Sequence, residues 1–191
     1  MEYSKAKLYD SLGGLLQYPQ PGFHEFLQVC RQEMQLAESV GCDKLQKFVD
    51  AVAGKDIEEL EELFTRTFDI NTKCALEVGW QLYAENYERG AFIVEMRQTL
   101  RRLDIAETSE LPDHLSQVLR ALGRMDTEEA GAFARGYVIP AMDKMTSGLK
   151  GRENPYINIL YAIHADVKAR HNDNEKNVNH SDMQGKEVKN G

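Results

Sequence analysis

The sequence predicts an all-α, single-domain bundle of seven to eight helices. Apolar residues recur at steps of three and four along most of the 191 residues, which is the period of an amphipathic helix. Sustained alternation of Val, Ile and Thr, which would indicate β-strands, is absent. Hydrophobic residues form 42% of the chain, enough to build one core for a protein of this size.

A proline-rich break separates the first two helices. The first helix is predicted over about 4–16, before Pro-Gln-Pro-Gly at 19–22, because proline lacks the N–H that a helix needs. Its apolar stripe consists of Leu8, Leu12, Leu15 and Leu16. A second helix is expected from Phe23 to near Gly41. A short third helix follows, and Gly54 stands after it, where glycine commonly ends a helix.

The middle of the chain predicts two further helices with a connection between them. The fourth helix begins at about Asp56. Its predicted buried side consists of Ile57, Leu60, Phe64 and Phe68. Residues 69–73 are expected to form a loop, and 74–83 a short apolar piece. Asn86, a favourable N-cap, is expected to begin a long helix that runs to about Leu103.

Three more helices complete the predicted bundle. Pro112 stands near the start of the first of them. The second spans 127–149, where Pro140 should leave the carbonyl of Gly136 free and kink the helix. The third opens with Asn-Pro at 154–155, a capping residue followed by a proline that favours the first helical turn.

The C-terminal segment differs in composition from the rest of the chain. Residues 171–191 are rich in Asn, Asp, Lys and Glu and contain no aromatic residue. Such a segment buries too little apolar surface to offset the entropy that ordering costs. We therefore assign one helical domain to 1–170 and expect a disordered polar tail at 171–191.

Charge and composition narrow the functional class. Lys and Arg number 23 against 31 Asp and Glu, a formal net charge of −8, whereas nucleic-acid binding needs a basic face. No apolar run approaches the roughly 20 residues that cross a bilayer. The first residues lack the pattern of a secretory signal, and three widely spaced cysteines are typical of reduced thiols. We expect a cytoplasmic protein that binds no nucleic acid and is not stably inserted in a membrane.

Motifs of known catalytic chemistry are missing from the sequence. It contains no G-x-S-x-G, no H-E-x-x-H and no glycine loop that would bind phosphate. The five histidines are scattered, and His164 and His171 lack a third ligand at metal-binding spacing. The glutamates at 58–62 point in several directions around a helix, as in a solvated face. We predict no catalytic residue, no metal site and no cofactor.

Three stretches combine residues more specifically than bundle packing requires. The block 64–69, Phe-Thr-Arg-Thr-Phe-Asp, places two aromatic residues one helical turn apart. The single tryptophan, two tyrosines and an arginine gather at 80–89. In the block 110–115, Glu-Leu-Pro-Asp-His-Leu, carboxylates and an imidazole lie beside a proline-defined helix start. Capping and core packing explain any one of these stretches equally well.

Together with Tyr-Pro at 18–19 and Asn-Pro-Tyr at 154–156, these blocks resemble the NarJ/TorD family of redox-enzyme maturation chaperones. The resemblance covers about 8–163 and is closest to the branch that serves nitrate-reductase-like, type II enzymes. It implies a TorD-like, all-helical and non-enzymatic cytoplasmic protein. It also implies a system-specific chaperone that binds the N-terminal, twin-arginine-type leader and the apo form of a molybdenum oxidoreductase's catalytic subunit. Such a chaperone assists molybdenum cofactor insertion before export or membrane attachment.

The resemblance and the residue types together suggest a leader-binding cleft. A leader with basic residues and then an apolar stretch would lay its apolar side between helices while carboxylates meet its arginines. The basic part is assigned to Asp69, Glu110 and Asp113, and aromatic residues are assigned to the walls. The residues expected to contact the leader are Asp69, Trp80, Tyr83, Tyr87, Glu110, Leu111, Pro112, Asp113 and His114. The residues expected to support the cleft are Arg66, Phe68 and Arg89.

Two other classes of protein remain as alternatives. A helical metal-dependent enzyme would need inward carboxylates with a Glu-x-x-His spacing, which the sequence lacks. An oligomerising adaptor or regulator would use a helix-turn-helix around 123–127, with Arg120 and Arg124 as local positive charge. Acidic residues at 126, 128 and 129 would repel DNA phosphates there. The sequence is compatible with a monomer or a homodimer.

Overall fold

A computed structural model describes residues 4–171 of the chain. The α-helical segments are α1 (Lys5–Gly14), α2 (Phe23–Leu36), α3 (Cys42–Val52), α4 (Ile57–Phe64), α5 (Val78–Tyr83), α6 (Tyr87–Arg102), α7 (Leu115–Arg124), α8 (Thr127–Phe133), α9 (Ile139–Leu149) and α10 (Tyr156–His171). Two π-helical turns, Thr65–Asp69 and Ala134–Val138, continue α4 and join α8 to α9, so the described residues form nine continuous helices.

The predicted all-α class is confirmed, with nine helices in the described range instead of seven to eight. The difference is α5, which the sequence indicated only as a short apolar piece because six residues are too few to show a helical period. The predicted disordered tail lies outside the described residues, apart from His171 at the end of α10. Among residues 4–171, no helix has both the length and the apolar composition needed to cross a membrane.

Side-chain caps mark helix starts that the sequence predicted. The carboxylate of Asp56 accepts the N–H of Glu59 at 2.9 Å, and the carboxylate of Glu59 accepts the N–H of Asp56 at 3.0 Å. At the start of α10, Asn154 Oδ1 accepts the N–H of Tyr156 at 2.9 Å. These bonds satisfy N–H groups that have no partner within their own helix, so they set where α4 and α10 begin.

The second helix ends earlier than the sequence predicts. α2 stops at Leu36, and Glu38 then adopts a left-handed φ of 50° instead of continuing the helix to near Gly41. Gly41 serves packing: a Cβ there would lie 2.4 Å from the carbonyl oxygen of Ala162 on α10. Gly41 therefore marks a close approach between two helices and not the end of α2. Glycine permits this approach because it has no side chain.

The first helix packs closely against α7. A Cβ at Gly13 would lie 2.8 Å from the carbonyl oxygen of Ser116, and a Cβ at Gly123 would lie 2.8 Å from the Cβ of Tyr9. The inner stripe predicted for the first helix is fully buried and comprises Leu8, Leu12, Leu15 and Leu16. This pair of helices supports the segment before α7, which belongs to the candidate site.

Pro140, which was predicted to kink its helix, lies directly after a π turn. Because it has no N–H, Pro140 cannot donate to the carbonyl of Gly136. The helix widens immediately before it, and the N–H of Ile139 donates to the carbonyl of Ala134, five residues earlier. Both flanking segments, α8 and α9, keep their apolar side in the core.

Candidate functional site

The block 64–69 forms the first π turn and places its side chains on opposite sides. The turn closes through the N–H of Ile70, which donates to the carbonyl of Thr65 at 3.2 Å. Phe68 is buried within the bundle, whereas Arg66 and Asp69 are exposed. The arginine lies 3.9 Å from Glu62 of α4. The turn thus presents a carboxylate to solvent at its last position.

A hydrogen bond joins this π turn to the start of α10. Asn154 Nδ2 donates to Thr67 Oγ1 at 2.7 Å, and that hydroxyl donates to the carbonyl of Leu63 at 2.6 Å. Tyr156 then inserts its ring 5.0 Å from the ring of Phe68. Two of the blocks that carried the resemblance are therefore in direct contact, although more than 80 residues separate them (154 − 67 = 87).

A short backbone pairing brings two other blocks together. The N–H of Val78 donates to the carbonyl of Asp113, and the N–H of Leu115 donates to the carbonyl of Leu76, both at 2.8 Å. These bonds flank the single β-bridge of the described chain, between Glu77 and His114. The start of α5 and the start of α7 are consequently adjacent, which gathers the residues predicted at 80–89 and 110–115 at one end of the bundle.

Asp113 is fully buried beneath this pairing, and its side chain faces α6. Its Oδ2 lies 3.8 Å from Arg89 Nε, close enough for an ion pair. Burial raises the pKa of Asp113, the Arg89 charge lowers it, and the Glu77 charge raises it. Gly79 makes the contact possible, since a Cβ there would lie 2.7 Å from Asp113 Oδ2.

Arg89 extends from this buried carboxylate to the aromatic surface. Its guanidinium carbon lies 5.4 Å from the ring centre of Trp80, a cation–π distance. Trp80 is half-buried, and its Nε1–H donates to the carbonyl of Thr72 at 3.0 Å. Asp113, Arg89 and Trp80 thus form one chain of contacts from the interior to the surface.

His114 is held by the start of α7. Its Nδ1 accepts from the N–H of Ser116 at 3.3 Å and lies 2.7 Å from the hydroxyl of the same residue. Burial lowers the pKa of His114 to about 4, so the ring is neutral near pH 7. Its Nε2 lies 4.0 Å from Glu110 Oε2, beyond hydrogen-bond distance. The ring therefore caps a helix and stays inside the fold.

Three carboxylates give this end of the bundle a negative potential. Partial burial raises the pKa of Glu110, and the charges of Glu77 and Asp69 raise it further. The charges of Glu77 and Asp69 therefore disfavour ionisation of Glu110, and a cation placed beside Glu110 would relieve that repulsion. Within residues 4–171, no three His, Cys, Asp or Glu side chains are grouped so as to hold a metal ion.

Aromatic and apolar side chains border the acidic edge. Tyr83 is half-buried, with its ring 6.1 Å from that of Phe92, and Tyr87 is 90% exposed. Leu111 is also exposed, whereas Pro112 is buried at the turn before α7. The surface combines carboxylates with exposed aromatic side chains, an arrangement that can bind a peptide with both basic and apolar residues.

The structure gathers most of the predicted site but separates its members by depth. Asp69, Glu110, Tyr87 and Leu111 reach the surface, whereas Asp113, His114, Pro112 and Phe68 are in the interior. Arg66 pairs with Glu62 on α4, and within residues 4–171 it forms no ion pair with the carboxylates of the site. Sequence reasoning missed Glu77, whose charge raises the pKa of both Glu110 and Asp113. No local signal marks it, because its place depends on the pairing with His114.

Comparison with known proteins gives two matches. A family profile described as "Nitrate reductase delta subunit" matches residues 33–161, about two thirds of the chain. The chain is also similar to a protein of Bacillus subtilis (strain 168) named "Probable nitrate reductase molybdenum cofactor assembly chaperone NarJ". The two are 24% identical over 162 residues, which is 84% of this chain and 88% of the relative. The region matched by the family contains every residue predicted to contact a leader.

Proposed function

The chain belongs to the nitrate reductase delta subunit family, and on this premise we propose that it is a molybdoenzyme assembly chaperone. It binds, in the cytoplasm, the N-terminal leader and the apo form of a molybdenum oxidoreductase's catalytic subunit. It assists insertion of the molybdenum cofactor before export or membrane attachment. The resemblance to the NarJ/TorD family is confirmed by the match, and so is the prediction of a non-catalytic protein, since the family consists of chaperones.

The observation that carries the leader-binding proposal is the acidic and aromatic surface at the starts of α5, α6 and α7. Burial and the charges of Glu77 and Asp69 raise the pKa of Glu110, so the guanidinium group of a bound arginine would be stabilised beside that carboxylate. Tyr83 and Tyr87 supply apolar area beside these charges. We name this surface, with Trp80 and Leu111, the leader face.

The buried members of the predicted site have positioning roles in this proposal. Asp113 cannot meet a peptide at the surface, because its side chain has no exposed area. It acts through Arg89, which it holds over the ring of Trp80. His114 and Pro112 set the turn that places Glu110 and Leu111 at the surface. Loss of any of these would change leader affinity through the shape of the leader face.

A titration with leader peptide tests the proposal. The probe is a synthetic peptide with the leader of the nitrate reductase catalytic subunit from the same organism. Changing Asp69→Asn and Glu110→Gln together should weaken binding by about tenfold, because the arginines lose their partners. Glu128→Gln with Glu153→Gln is the matched control, since it removes the same charge from exposed positions elsewhere. Calorimetry that gives equal affinity for both double variants would exclude the leader face as the binding site.

A further inference from the structure

Two hollows lie on either side of Tyr18, in the connection between α1 and α2. The first has a volume of about 200 Å³ and an uncharged lining that includes Gln17, Pro21 and Phe26. The second has a volume of about 380 Å³ and lies between Tyr18 and α4. Tyr18 lines both hollows, so the two are adjacent, and we name the pair the Tyr18 groove.

The second hollow of the Tyr18 groove is acidic. Its lining includes Glu58, Glu61 and Glu62 from one side of α4. Glu62 lies 3.9 Å from Arg66, whereas Glu58 and Glu61 have no ion pair within residues 4–171. Three carboxylates on one short helix, against the single arginine one turn further along it, leave a net negative charge in this half of the groove.

The same groove exposes large apolar side chains. Tyr18 is 40% exposed, although its ring packs edge-on against Phe64 at 5.7 Å. Ile70, which lines the acidic hollow, is 72% exposed. An isolated exposed apolar residue is ordinary, but here two of them border concave surface that has charge on one side only. The groove is thus divided into an acidic half and an uncharged half.

We propose that the Tyr18 groove is a second docking site, for a segment of client polypeptide in which basic residues lie next to apolar ones. The basic residues lie in the hollow of Glu58 and Glu61, and the apolar side chains lie against Tyr18 and Phe26. This inference rests on the proposed function, because the occupant is part of a client that the chaperone holds. A second copy of this chain is a poorer occupant, since its net charge of −8 opposes contact with an acidic hollow.

The groove lies next to the leader face without being part of it. Ile70 directly follows Asp69, so the two surfaces meet at the end of the π turn. Trp80, the single tryptophan of the chain, belongs to the leader face and does not line the groove. Its fluorescence therefore reports on one surface, and amide resonances of residues around Tyr18 report on the other.

A matched pair of charge-reversal variants tests the groove. The probe is a synthetic peptide with two adjacent arginines followed by an apolar stretch of leucine and alanine, titrated into the full chain labelled with nitrogen-15. Amide resonances of Gln17, Tyr18, Phe26 and Ile70 should shift. Glu58→Lys with Glu61→Lys should weaken the binding measured from those shifts by about tenfold. Glu128→Lys with Glu153→Lys changes the total charge equally and should alter it less than twofold.

The outcomes separate the groove from the leader face. If Trp80 emission responds to the peptide while the groove resonances do not, the groove proposal fails and the leader face stands. If the groove resonances respond and Trp80 emission does not, the groove stands and the leader-face assignment fails. Equal weakening by the two charge-reversal pairs overturns the groove. Sedimentation that shows a dimer lost on Glu58→Lys with Glu61→Lys also overturns it, because a second copy would then be the occupant.

A second variant guards against loss of folding. Tyr18→Ser removes the ring that both hollows share and leaves all charges unchanged. It should weaken peptide binding while the circular dichroism spectrum stays that of a helical protein. Unchanged binding by a folded Tyr18→Ser variant would contradict the proposal independently of charge.

Discussion

Arg89 and Asp113 form an ion pair in which one partner is wholly inside the protein and the other reaches its surface. The distance from Nε to Oδ2 is 3.8 Å, and the Arg89 charge lowers the pKa of Asp113 more than the backbone N–H groups of Asp113 and Gly79 do. The guanidinium group therefore provides the main compensation for burying the carboxylate. The pair couples the start of α7 to the start of α6, and through Trp80 to the leader face.

Removing Arg89 should destabilise the fold more than its exposure suggests. Arg89→Ala leaves Asp113 buried without its cation, so we expect the free energy of unfolding to fall by about 3 kcal/mol. Arg89→Ala combined with Asp113→Asn should recover part of that loss, because the buried charge is then gone. Urea denaturation of the two variants and of the unchanged protein measures both effects. Equal destabilisation by the single and double variants would show that the ion pair contributes nothing specific.

Stability should decrease on mild acidification because of buried histidines. Burial lowers the pKa of His114 from 6.5 to about 4, and burial with the Lys5 charge does the same for His171. The unfolded chain thus binds protons at a higher pH than the folded one. Between about pH 7 and about pH 5 His114 should lower the free energy of unfolding by about 2 kcal/mol, and His171 should lower it in the same direction.

A single substitution isolates one of these histidines. His114→Asn keeps a side-chain acceptor at the start of α7 but cannot titrate. The loss of stability between about pH 7 and about pH 5 should be smaller by about 2 kcal/mol in this variant. Glu110 and Asp113 have a raised pKa, so their protonation affects stability with the opposite sign. Their contribution is the same in the variant and in the unchanged protein, so it cancels when the two pH profiles are compared. Identical pH profiles from urea denaturation would show that His114 is not responsible.

Gly79 should tolerate no side chain, in contrast to Gly90. A Cβ at Gly79 would lie 2.7 Å from Asp113 Oδ2 and 3.1 Å from the Phe92 ring. We expect Gly79→Ala to destabilise the protein by about 2 kcal/mol and to change Trp80 fluorescence. Gly90, within α6, has no atom within 4 Å of the corresponding position. Gly90→Ala should therefore stabilise by about 1 kcal/mol, and thermal denaturation that ranks the two variants otherwise would refute the packing argument.

The bond between Asn154 and Thr67 should contribute to stability beyond the cap alone. Asn154→Ala loses the cap of α10 and the 2.7 Å bond to Thr67, so we expect a loss of about 2 kcal/mol. Thr67→Val removes only the hydroxyl. Because the two side chains share one bond, the double variant should cost less than the two single losses combined. Additive losses in chemical denaturation would mean that the bond does not couple them.

Local sequence signals were enough to predict most of the fold. Asp56 and Asn154 cap their helices where expected, since a cap depends only on residues within one turn. The π turn at Thr65–Asp69 and the early end of α2 were not predicted. Their geometry depends on contacts with other helices, such as the contact of Thr67 with Asn154 or of Gly41 with Ala162.

The sequence indicated which residues belong to the candidate site, but it did not indicate how they are arranged. The blocks at 80–89 and 110–115 were chosen from residue types, and the structure places them side by side. That Asp113 is buried and that Glu77 joins the acidic group could not be inferred, because burial depends on what covers a residue. Gly79 and Arg89, which approach the Asp113 carboxylate, are 34 and 24 positions away (113 − 79 and 113 − 89).

The amino-acid order alone determined the all-α class, the helix starts and the surplus of negative charge, because each follows from neighbouring residues or from composition. The tertiary structure decided which carboxylates meet, which aromatic rings stay exposed and where the grooves lie. Those properties arise when segments far apart in the chain pack together. The free energy of that packing depends on all the segments in contact, so no single stretch of sequence determines it.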